Sequence, residues 1–284
     1  MINQDIKILI VGQNSFVAKY FIKACVENEI DHYVCSHSNI PKILSDFNWV
    51  VNFTINPNFF TQKHTISIDQ DALIAKKVSA YKNLKYVMIS SRLVYGYDNI
   101  LIPASEEHEL QHVNNVIYGS NKILSEKFCR SLIKPQNLLI TRGSNMFGYE
   151  IRRKSFIGIA LNRLLSKSEI LLDISEKTVR DFIPVNDFAS YLIQLISKNC
   201  TGIYNIGSGK GVTLEDLCNS IIKGYGKGIL NTTSNAPIKD QFILDSQKLY
   251  KITKRTIKKS EIMNYAKNIG KKLKMENEAN KNNV

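Results

Sequence analysis

Short apolar runs alternate with segments of helical periodicity through the first half of the chain. Four of these runs lie at residues 6–11, 48–53, 86–89 and 138–140. Continuous apolar runs of this length are typical of strands in a parallel sheet, because helices cover both faces of such a sheet. Residues 16–28 instead carry apolar side chains at helical spacing. The pattern predicts an α/β fold built on a Rossmann-like, doubly wound parallel sheet.

The regular alternation ends near residue 143. An Arg-rich loop, a predicted helix at 156–165 and a predicted strand at 169–172 follow, which indicates a smaller C-terminal lobe. We expect three parts: a sheet domain at 1–143 to which later segments return, a lobe at 144–250 that mainly binds substrate, and a basic helix and tail at 251–284.

A serine at a strand end and a Tyr-x-x-x-Lys sequence together indicate hydride-transfer chemistry. Ser91 follows an apolar strand, and Tyr118 and Lys122 lie four residues apart on one face of the next predicted helix. Hydroxyl and ammonium groups that meet around one carbonyl carbon are what a ketone reductase requires. An ammonium about 4 Å from a phenol is worth roughly 4 kcal/mol and lowers the tyrosine pKa. We predict that these three residues are catalytic.

The Tyr-x-x-x-Lys spacing also occurs at 81–85 and 250–254. Tyr81 lies in the linker before a strand. Tyr250 lies in a basic terminal region, where we expect neither a strand end nor a glycine loop nearby. Only Tyr118 has a serine-bearing strand upstream and an amphipathic helix behind it, so the context favours Tyr118.

The turn from Gly12 to Ala18 has the position of a glycine-rich phosphate-binding loop but keeps only its first glycine. Backbone N–H groups of such a turn, together with the dipole of the following helix, bind a pyrophosphate. An ordinary strand-to-helix turn is the alternative. We predict a dinucleotide cofactor that contacts Gly12, Asn14, Ser15, Phe16, Val17, Ser36, His37 and Lys122.

The segment after the second strand reads Cys35-Ser36-His37-Ser38 and holds no carboxylate. A fold that binds NAD usually places an acid there on the ribose hydroxyl groups. Without the acid, a 2′-phosphate meets no repulsion and finds hydrogen-bond donors. We therefore prefer NADP(H), with NAD(H) as the alternative. Only 13 residues separate Cys35 from Trp49, so we expect the usual third strand to be shrunken or lost.

Several motifs occur in order along most of the chain. They are the loop at Gly12, Ser-Ser-x-x-Val-Tyr-Gly at 90–96, Tyr-x-x-x-Lys at 118–122, Arg-Gly-Ser-Asn-Met-Phe-Gly at 142–148, Arg-Asp-Phe-Ile-Pro-Val-Asn-Asp at 180–187 and Tyr-Asn-Ile-Gly-Ser-Gly at 204–209. With them the chain resembles the extended short-chain dehydrogenases/reductases, an NAD(P)-dependent family of nucleotide-sugar epimerases, dehydratases and reductases.

The resemblance implies a nucleotide-sugar substrate and a homodimer. It implies that Ser91 and Tyr118 bind the reacting sugar oxygen and that Lys122 holds the nicotinamide ribose. It also implies that Asn145 and Arg180 contact the substrate diphosphate. The structural alternatives are a turn-forming Asn145 and a surface ion pair between Arg180 and its neighbour Asp181.

The resemblance also narrows the reaction. Dehydratases of the family carry an Asp-Glu pair just after the serine, where this chain has Arg92 and Leu93. The epimerase-reductases that resemble fucose synthase use a cysteine, and this strand end has none. We expect an NADPH-dependent reductase of a nucleotide-linked 4-keto-6-deoxy sugar in surface-polysaccharide synthesis. An NAD-dependent C4 epimerase is the alternative, and a non-catalytic, basic binding scaffold is a third.

Much of the net charge of +13 lies at the end of the chain, where residues 251–284 contribute +7. A predicted N-cap at Ser260 precedes a helical apolar stripe of Ile262, Tyr265, Ile269 and Leu273. We expect this helix to dock on the body, with a peripheral membrane or partner contact of its basic face as the alternative. No nucleic-acid partner is expected, because the chain has no basic and aromatic ribbon that stacks bases.

Cysteine usage and hydropathy bound the remaining classes. The five cysteines are scattered and form neither a Cys-x-x-Cys nor a Cys/His cluster, so we expect no disulfide and no metal site. The first five residues carry no positive side chain, and no segment approaches the roughly 20 apolar residues of a membrane span. We expect a cytoplasmic protein.

Overall fold

The computed structural model describes residues 6–96, 102–111, 117–152 and 154–282. The strands are β1 (Lys7–Val11), β2 (Asp31–Cys35), β3 (Trp49–Asn52), β4 (Lys85–Ser91), β5 (Leu138–Gly143), β6 (Asn145–Phe147), β7 (Glu169–Leu172), β8 (Val179–Pro184), β9 (Gly202–Ile206), β10 (Gly211–Thr213) and β11 (Ile229–Thr232). The α-helices are α1 (Phe16–Glu27), α2 (Gln70–Val78), α3 (Ile117–Leu132), α4 (Phe156–Lys167), α5 (Val185–Ser197), α6 (Leu214–Tyr225), α7 (Gln247–Thr253) and α8 (Lys259–Asn282).

A parallel sheet of six strands, in the order β2-β1-β3-β4-β5-β9, forms the centre of the molecule. Successive residues of each strand face opposite sides. Ile8 and Ile10 pack in a core with α1 and α5, whereas Leu9 and Val11 pack in a core with α2 and α3. Burial on both faces explains the continuous apolar runs in the sequence. The predicted doubly wound α/β fold is confirmed.

On the β2 side, this sheet has, among the described residues, one strand fewer than a full dinucleotide-binding fold. Strand β3 pairs directly with β1, and β2 is the outermost strand on that side within the described part of the chain. Tyr33 in β2 is half-exposed, as the edge position allows. The expected loss of the third strand therefore agrees with the topology, which follows from the short connection between Cys35 and Trp49.

The smaller lobe consists of short sheets and helix α4. Strand β8 pairs in parallel with β6 and antiparallel with β10, while β7 and β11 form a parallel pair. Strand β9 lies within the sequence of this lobe but pairs with β5 of the main sheet. Strand β6 begins two residues after β5 ends, so the lobe starts at the edge of the sheet at which the parallel strands end.

The terminal helix α8 packs on α6. Ile262, Ile269 and Leu273 are buried there, as the apolar stripe predicted. The helix begins at Lys259, so the prediction of Ser260 as the N-cap is wrong; Glu261 accepts a hydrogen bond from the Lys258 N–H at 2.8 Å instead. Among the described residues, none of the helices combines the length and apolar character that a membrane crossing needs.

Candidate active site

Ser90 and Ser91, at the end of β4, have different surroundings. Ser90 is buried and donates to Glu126 at 2.6 Å, and Glu126 also forms an ion pair with buried Arg142 at 2.7 Å. Ser91 is partly exposed, and its Oγ accepts a hydrogen bond from the Leu93 N–H at 3.2 Å. Because the Ser91 oxygen serves as acceptor in that bond, its O–H remains able to donate to a substrate.

Helix α3 approaches this strand end through a glycine. A Cβ on Gly119 would lie 2.6 Å from the Leu93 carbonyl oxygen, so a larger residue cannot occupy the position without a shift of the backbone. The close approach brings Tyr118, at the start of α3, to the turn that follows Ser91. The structure therefore places two of the predicted catalytic residues on adjoining segments at the same edge of the sheet.

Two phenylalanines that the sequence analysis did not identify enclose Tyr118. The Tyr118 ring stacks on Phe60 with 4.9 Å between centroids and 14° between planes, and it meets Phe59 edge-on at 6.1 Å. Asn121 fixes this segment, because its side chain donates to the carbonyl oxygens of Phe59 and Gln62, each at 2.9 Å. The orientation of the phenol is thus determined by packing as well as by helix geometry.

Lys122 is buried one helical turn after Tyr118 and is bound by two oxygens. Its Nζ donates to Asp71 Oδ2 at 2.7 Å and to the Ile89 carbonyl at 2.9 Å, and it lies 6.0 Å from the centroid of the Tyr118 ring. Burial lowers the pKa of Lys122 and is the largest single effect, but the charge and hydrogen bond of Asp71 and the charges of Tyr118 and Asp69 together raise it by more, so the net pKa lies above its usual value. Lys122 is therefore a permanent cation at neutral pH.

Asp71 lies in α2 and has no motif around it, so the sequence analysis missed it. Besides Lys122, its carboxylate accepts hydrogen bonds from Asn52 Nδ2 at 2.7 Å and from the Tyr86 hydroxyl at 3.1 Å. Asn52 in turn accepts hydrogen bonds from the Thr54 N–H at 2.9 Å and from its hydroxyl at 2.6 Å. A continuous set of hydrogen bonds thus joins Lys122 to the end of β3.

A cavity of about 430 Å³ lies at the carboxyl end of β1, and we call it the cofactor cavity after the contacts predicted from the sequence. Its lining includes seven of the predicted cofactor contacts, Gly12, Asn14, Ser15, Phe16, Val17, Ser36 and His37. Lys122 is not among the lining residues. Phe53, Thr54 and Phe60 also line the cavity and were not predicted.

Gly12 shows that the backbone of the loop is shaped for a close approach. Its φ is +105°, and a Cβ there would lie 2.8 Å from Thr54 Cγ2. Only glycine adopts this conformation without strain. The open loop, followed by the N-terminus of α1, fits the pyrophosphate of a dinucleotide.

A second cavity, of about 270 Å³, brings together Asn145 and Arg180. It shares Phe16 and Val17 with the cofactor cavity, so the two cavities adjoin. Arg180 does not pair with Asp181, whose buried carboxylate accepts hydrogen bonds from the 208–209 backbone. The guanidinium of Arg180 instead forms an ion pair with Asp240, which lies in a loop far away in sequence, at 3.0 Å.

Arg92, the residue after Ser91, joins the same cluster. Its guanidinium lies 3.6 Å from the centroid of the Phe242 ring and forms an ion pair with Asp240. Asp240 thus contacts both Arg92 and Arg180. Sequence reasoning identified Arg92 only as the residue in place of a dehydratase acid, since nothing local indicates a partner about 150 residues away.

The other two Tyr-x-x-x-Lys tyrosines have structural partners. The Tyr81 hydroxyl accepts a hydrogen bond from the Leu44 N–H at 3.2 Å. Tyr250 donates to the Ser208 carbonyl at 2.6 Å, so the expectation that no glycine loop lies near it is wrong: the Gly207–Gly209 loop is in contact.

Comparison with known proteins decides the family. The model of the NAD dependent epimerase/dehydratase family matches residues 8–207, which is more than half of the chain. The chain belongs to this family. The resemblance inferred from the motifs is confirmed, and with it the expectation of an NAD(P)-dependent enzyme from a family that modifies nucleotide sugars.

Members of the family with different reactions are similar to the chain. A dTDP-4-dehydro-6-deoxyglucose reductase of Escherichia coli is 27% identical over 75% of this chain and 80% of its own length. A UDP-N-acetylglucosamine 4-epimerase from Methanobrevibacter ruminantium shares the fold with a TM-score of 0.79 at 17% identity, covering 95% of this chain and 98% of its own. RMD from Pseudomonas aeruginosa, solved with NADPH, has the same TM-score at 15% identity, covering 95% and 99%. At these identities the solved structures establish the fold alone.

Proposed function

We propose that this enzyme reduces the ketone of a nucleotide-linked 4-keto-6-deoxy sugar with NADPH. The observation that carries the proposal is the turn after Ser91, in which Arg92 and Leu93 stand where an eliminating enzyme needs an acid and a base. Arg92 is buried and bound to Asp240, so it has no part in proton abstraction. The similarity to the Escherichia coli reductase supports the same reaction.

In this proposal the side chains at the end of β4 and the start of α3 act on the ketone oxygen. Negative charge grows on that oxygen during reduction, and hydrogen bonds from Ser91 and Tyr118 stabilise it. Tyr118 then gives its proton to the oxygen. Lys122 supplies a fixed positive charge beside the resulting phenolate. A reduced nicotinamide dinucleotide bound in the cavity beside Gly12 would supply the hydride.

The preference for NADP(H) rests on the residues after β2. Ser36 and Ser38 lie with their hydroxyl oxygens 2.8 Å apart, His37 lies between them in sequence, and Ser36 and His37 line the cofactor cavity. Residues 35–39 contain no acid that would repel a 2′-phosphate. Two hydroxyl groups and an imidazole are suitable donors to that phosphate.

The test compares cofactors and substrates on the purified full-length protein. Absorbance first shows whether dinucleotide is retained through purification. NADPH and NADH consumption is then followed with dTDP- and GDP-linked 4-keto-6-deoxy sugars, and UDP-glucose is tested for interconversion at C4. We expect turnover of NADPH with a keto sugar and none with the Tyr118→Phe variant. Tightly retained NAD with C4 interconversion would instead identify an epimerase and overturn the proposal.

A further inference from the structure

Lys122 has a counterion of its own. The ammonium and the Asp71 carboxylate are each about 95% buried and lie 2.7 Å apart. A buried carboxylate at this distance offsets part of the electric field that the ammonium exerts on neighbouring groups. The simple arrangement expected from sequence, in which a bare lysine stabilises a phenolate, therefore does not describe this chain.

The second contact of Lys122 fixes its direction. With one N–H bond on Asp71 and another on the Ile89 carbonyl, the ammonium is held between α2 and β4. Asp71 also accepts the hydrogen bond from Asn52, which leads to Thr54 on the wall of the cofactor cavity. The Asp71 carboxylate thus connects helix α3 to the cofactor cavity through hydrogen bonds.

We propose that Asp71 is a positioning residue that orients Lys122 and offsets its charge beside Tyr118. This inference rests on the proposed function, in which Tyr118 exchanges a proton with the substrate oxygen. Asp71 acts through Lys122 and not on the substrate. It makes Tyr118 a weaker acid than a lysine without a counterion would, which keeps the phenol protonated and ready to donate its proton in the direction of reduction.

Other titratable groups surround this pair and belong to the same electrostatic environment. They are Asp69 at the start of α2, His64 before it, Tyr86 in β4, and Glu126 and Cys129 in α3. Asp69 is fully buried, but its carboxylate binds His64 and Ser125, each at 2.7 Å, and not Lys122. Asp69 is therefore the matched control for the loss of a buried charge in α2.

The experiment measures the ionisation of Tyr118 directly. Phenolate absorbance is titrated in the wild type, in Asp71→Asn and in Asp69→Asn, and each curve is corrected with the same variant carrying Tyr118→Phe. We expect the Tyr118 step to move to lower pH by roughly one pH unit or more in Asp71→Asn, and by much less in Asp69→Asn. An unchanged step in Asp71→Asn, or an equal shift in both variants, would overturn the proposal.

The role of Asp71 can be tested independently of the proposed reductase function and of the folding of the Asp71→Asn variant. The titration needs neither substrate nor cofactor, so it returns a result for Asp71 even if the protein reduces no sugar. If Asp71→Asn does not fold, nitrogen NMR of wild-type lysine ammonium groups replaces it, with Lys122→Arg for assignment. A Lys122 ammonium whose hydrogens exchange far more slowly than those of exposed lysines supports the pair, and one that exchanges equally fast contradicts it.

Discussion

Arg180 forms an ion pair with Asp240, with 3.0 Å between Nη2 and Oδ2. Resemblance to the family assigns this arginine to the substrate diphosphate, so the residue that would bind the phosphates already holds a carboxylate. The Asp240 carbonyl also accepts a hydrogen bond from Arg180 Nε at 3.1 Å. We therefore predict that a diphosphate bound by Arg180 competes with the side chain of Asp240 but not with its backbone.

Replacement of Asp240 by Asn removes the competing charge. Asp240 has a φ of +57°, a conformation that Asn accepts readily, and the backbone contact to Arg180 is kept. We expect the dissociation constant of UDP or dTDP, measured by calorimetry, to fall by about three- to tenfold. Asp173→Asn, which removes the same charge at an exposed site, should leave it unchanged. Equal or weaker binding by Asp240→Asn would argue against the competition.

Tyr118→Phe removes the hydroxyl but keeps the ring that stacks on Phe60. The fold should be preserved, and kcat should fall by about 10²- to 10⁴-fold, because the proton donor is lost. Tyr81→Phe is the matched control, since it alters a tyrosine with the same sequence spacing whose hydroxyl binds backbone atoms of Lys42 and Leu44. Steady-state kinetics that are equal for the two variants would exclude Tyr118 as the donor.

Gly12→Ala introduces both strain and a clash. The positive φ disfavours alanine, and its Cβ would lie 2.8 Å from Thr54 Cγ2 on the wall of the cofactor cavity. We expect a loss of about 1–3 kcal/mol in the free energy of unfolding together with weakened dinucleotide binding. Gly202→Ala separates the two effects, because Gly202 has a φ of +90° with no heavy atom within 4 Å of the new Cβ. It should cost stability without a change in cofactor affinity.

Cysteine reactivity should be confined to one site. Burial raises the pKa of Cys25 and of Cys218 to about 12, and it also raises the pKa of Cys35 and Cys129. These thiols are therefore mainly protonated at pH 7 and are also buried, and only thiolates react with alkylating reagents. Cys200 is only partly buried. Mass spectrometry of the native protein should show one adduct, lost in Cys200→Ser, whereas the unfolded protein should show five.

The sheet and the local parts of the site were predictable because their signals lie within short segments. Apolar runs mark strands that are buried on both faces, the glycine loop and Ser91 lie at strand ends, and Tyr118 and Lys122 share one face of the next long helix. The catalytic roles of these residues stay predictions. The turn at Gly12 was predictable even though the loop keeps one glycine, since Gly12 provides the positive φ that the turn needs, and phosphate binding by this loop stays a prediction.

Residues that act through tertiary contacts were not predictable. Asp71 belongs to an ordinary helix, and its contact with Lys122 spans 51 positions of sequence. Asp240 lies in an irregular loop about 60 residues after Arg180. Phe60 follows β3 in a segment with no strand or helix pattern. In each case the contact arises because the fold brings separate elements to one edge of the sheet. The spacing of residues in the sequence carries no signal for such a contact.

Helix α8 packs closely on α6, where Gly270 lies against the backbone of Ile221 and Gly224 against that of Lys267. A shortened chain that stops before Lys259 would therefore expose the apolar surface of α6 to water. We expect such a product to precipitate or to be degraded. For expression, a fusion partner should be attached after the last turn of α8. The lysine-rich C-terminal helix should be kept, because it covers α6.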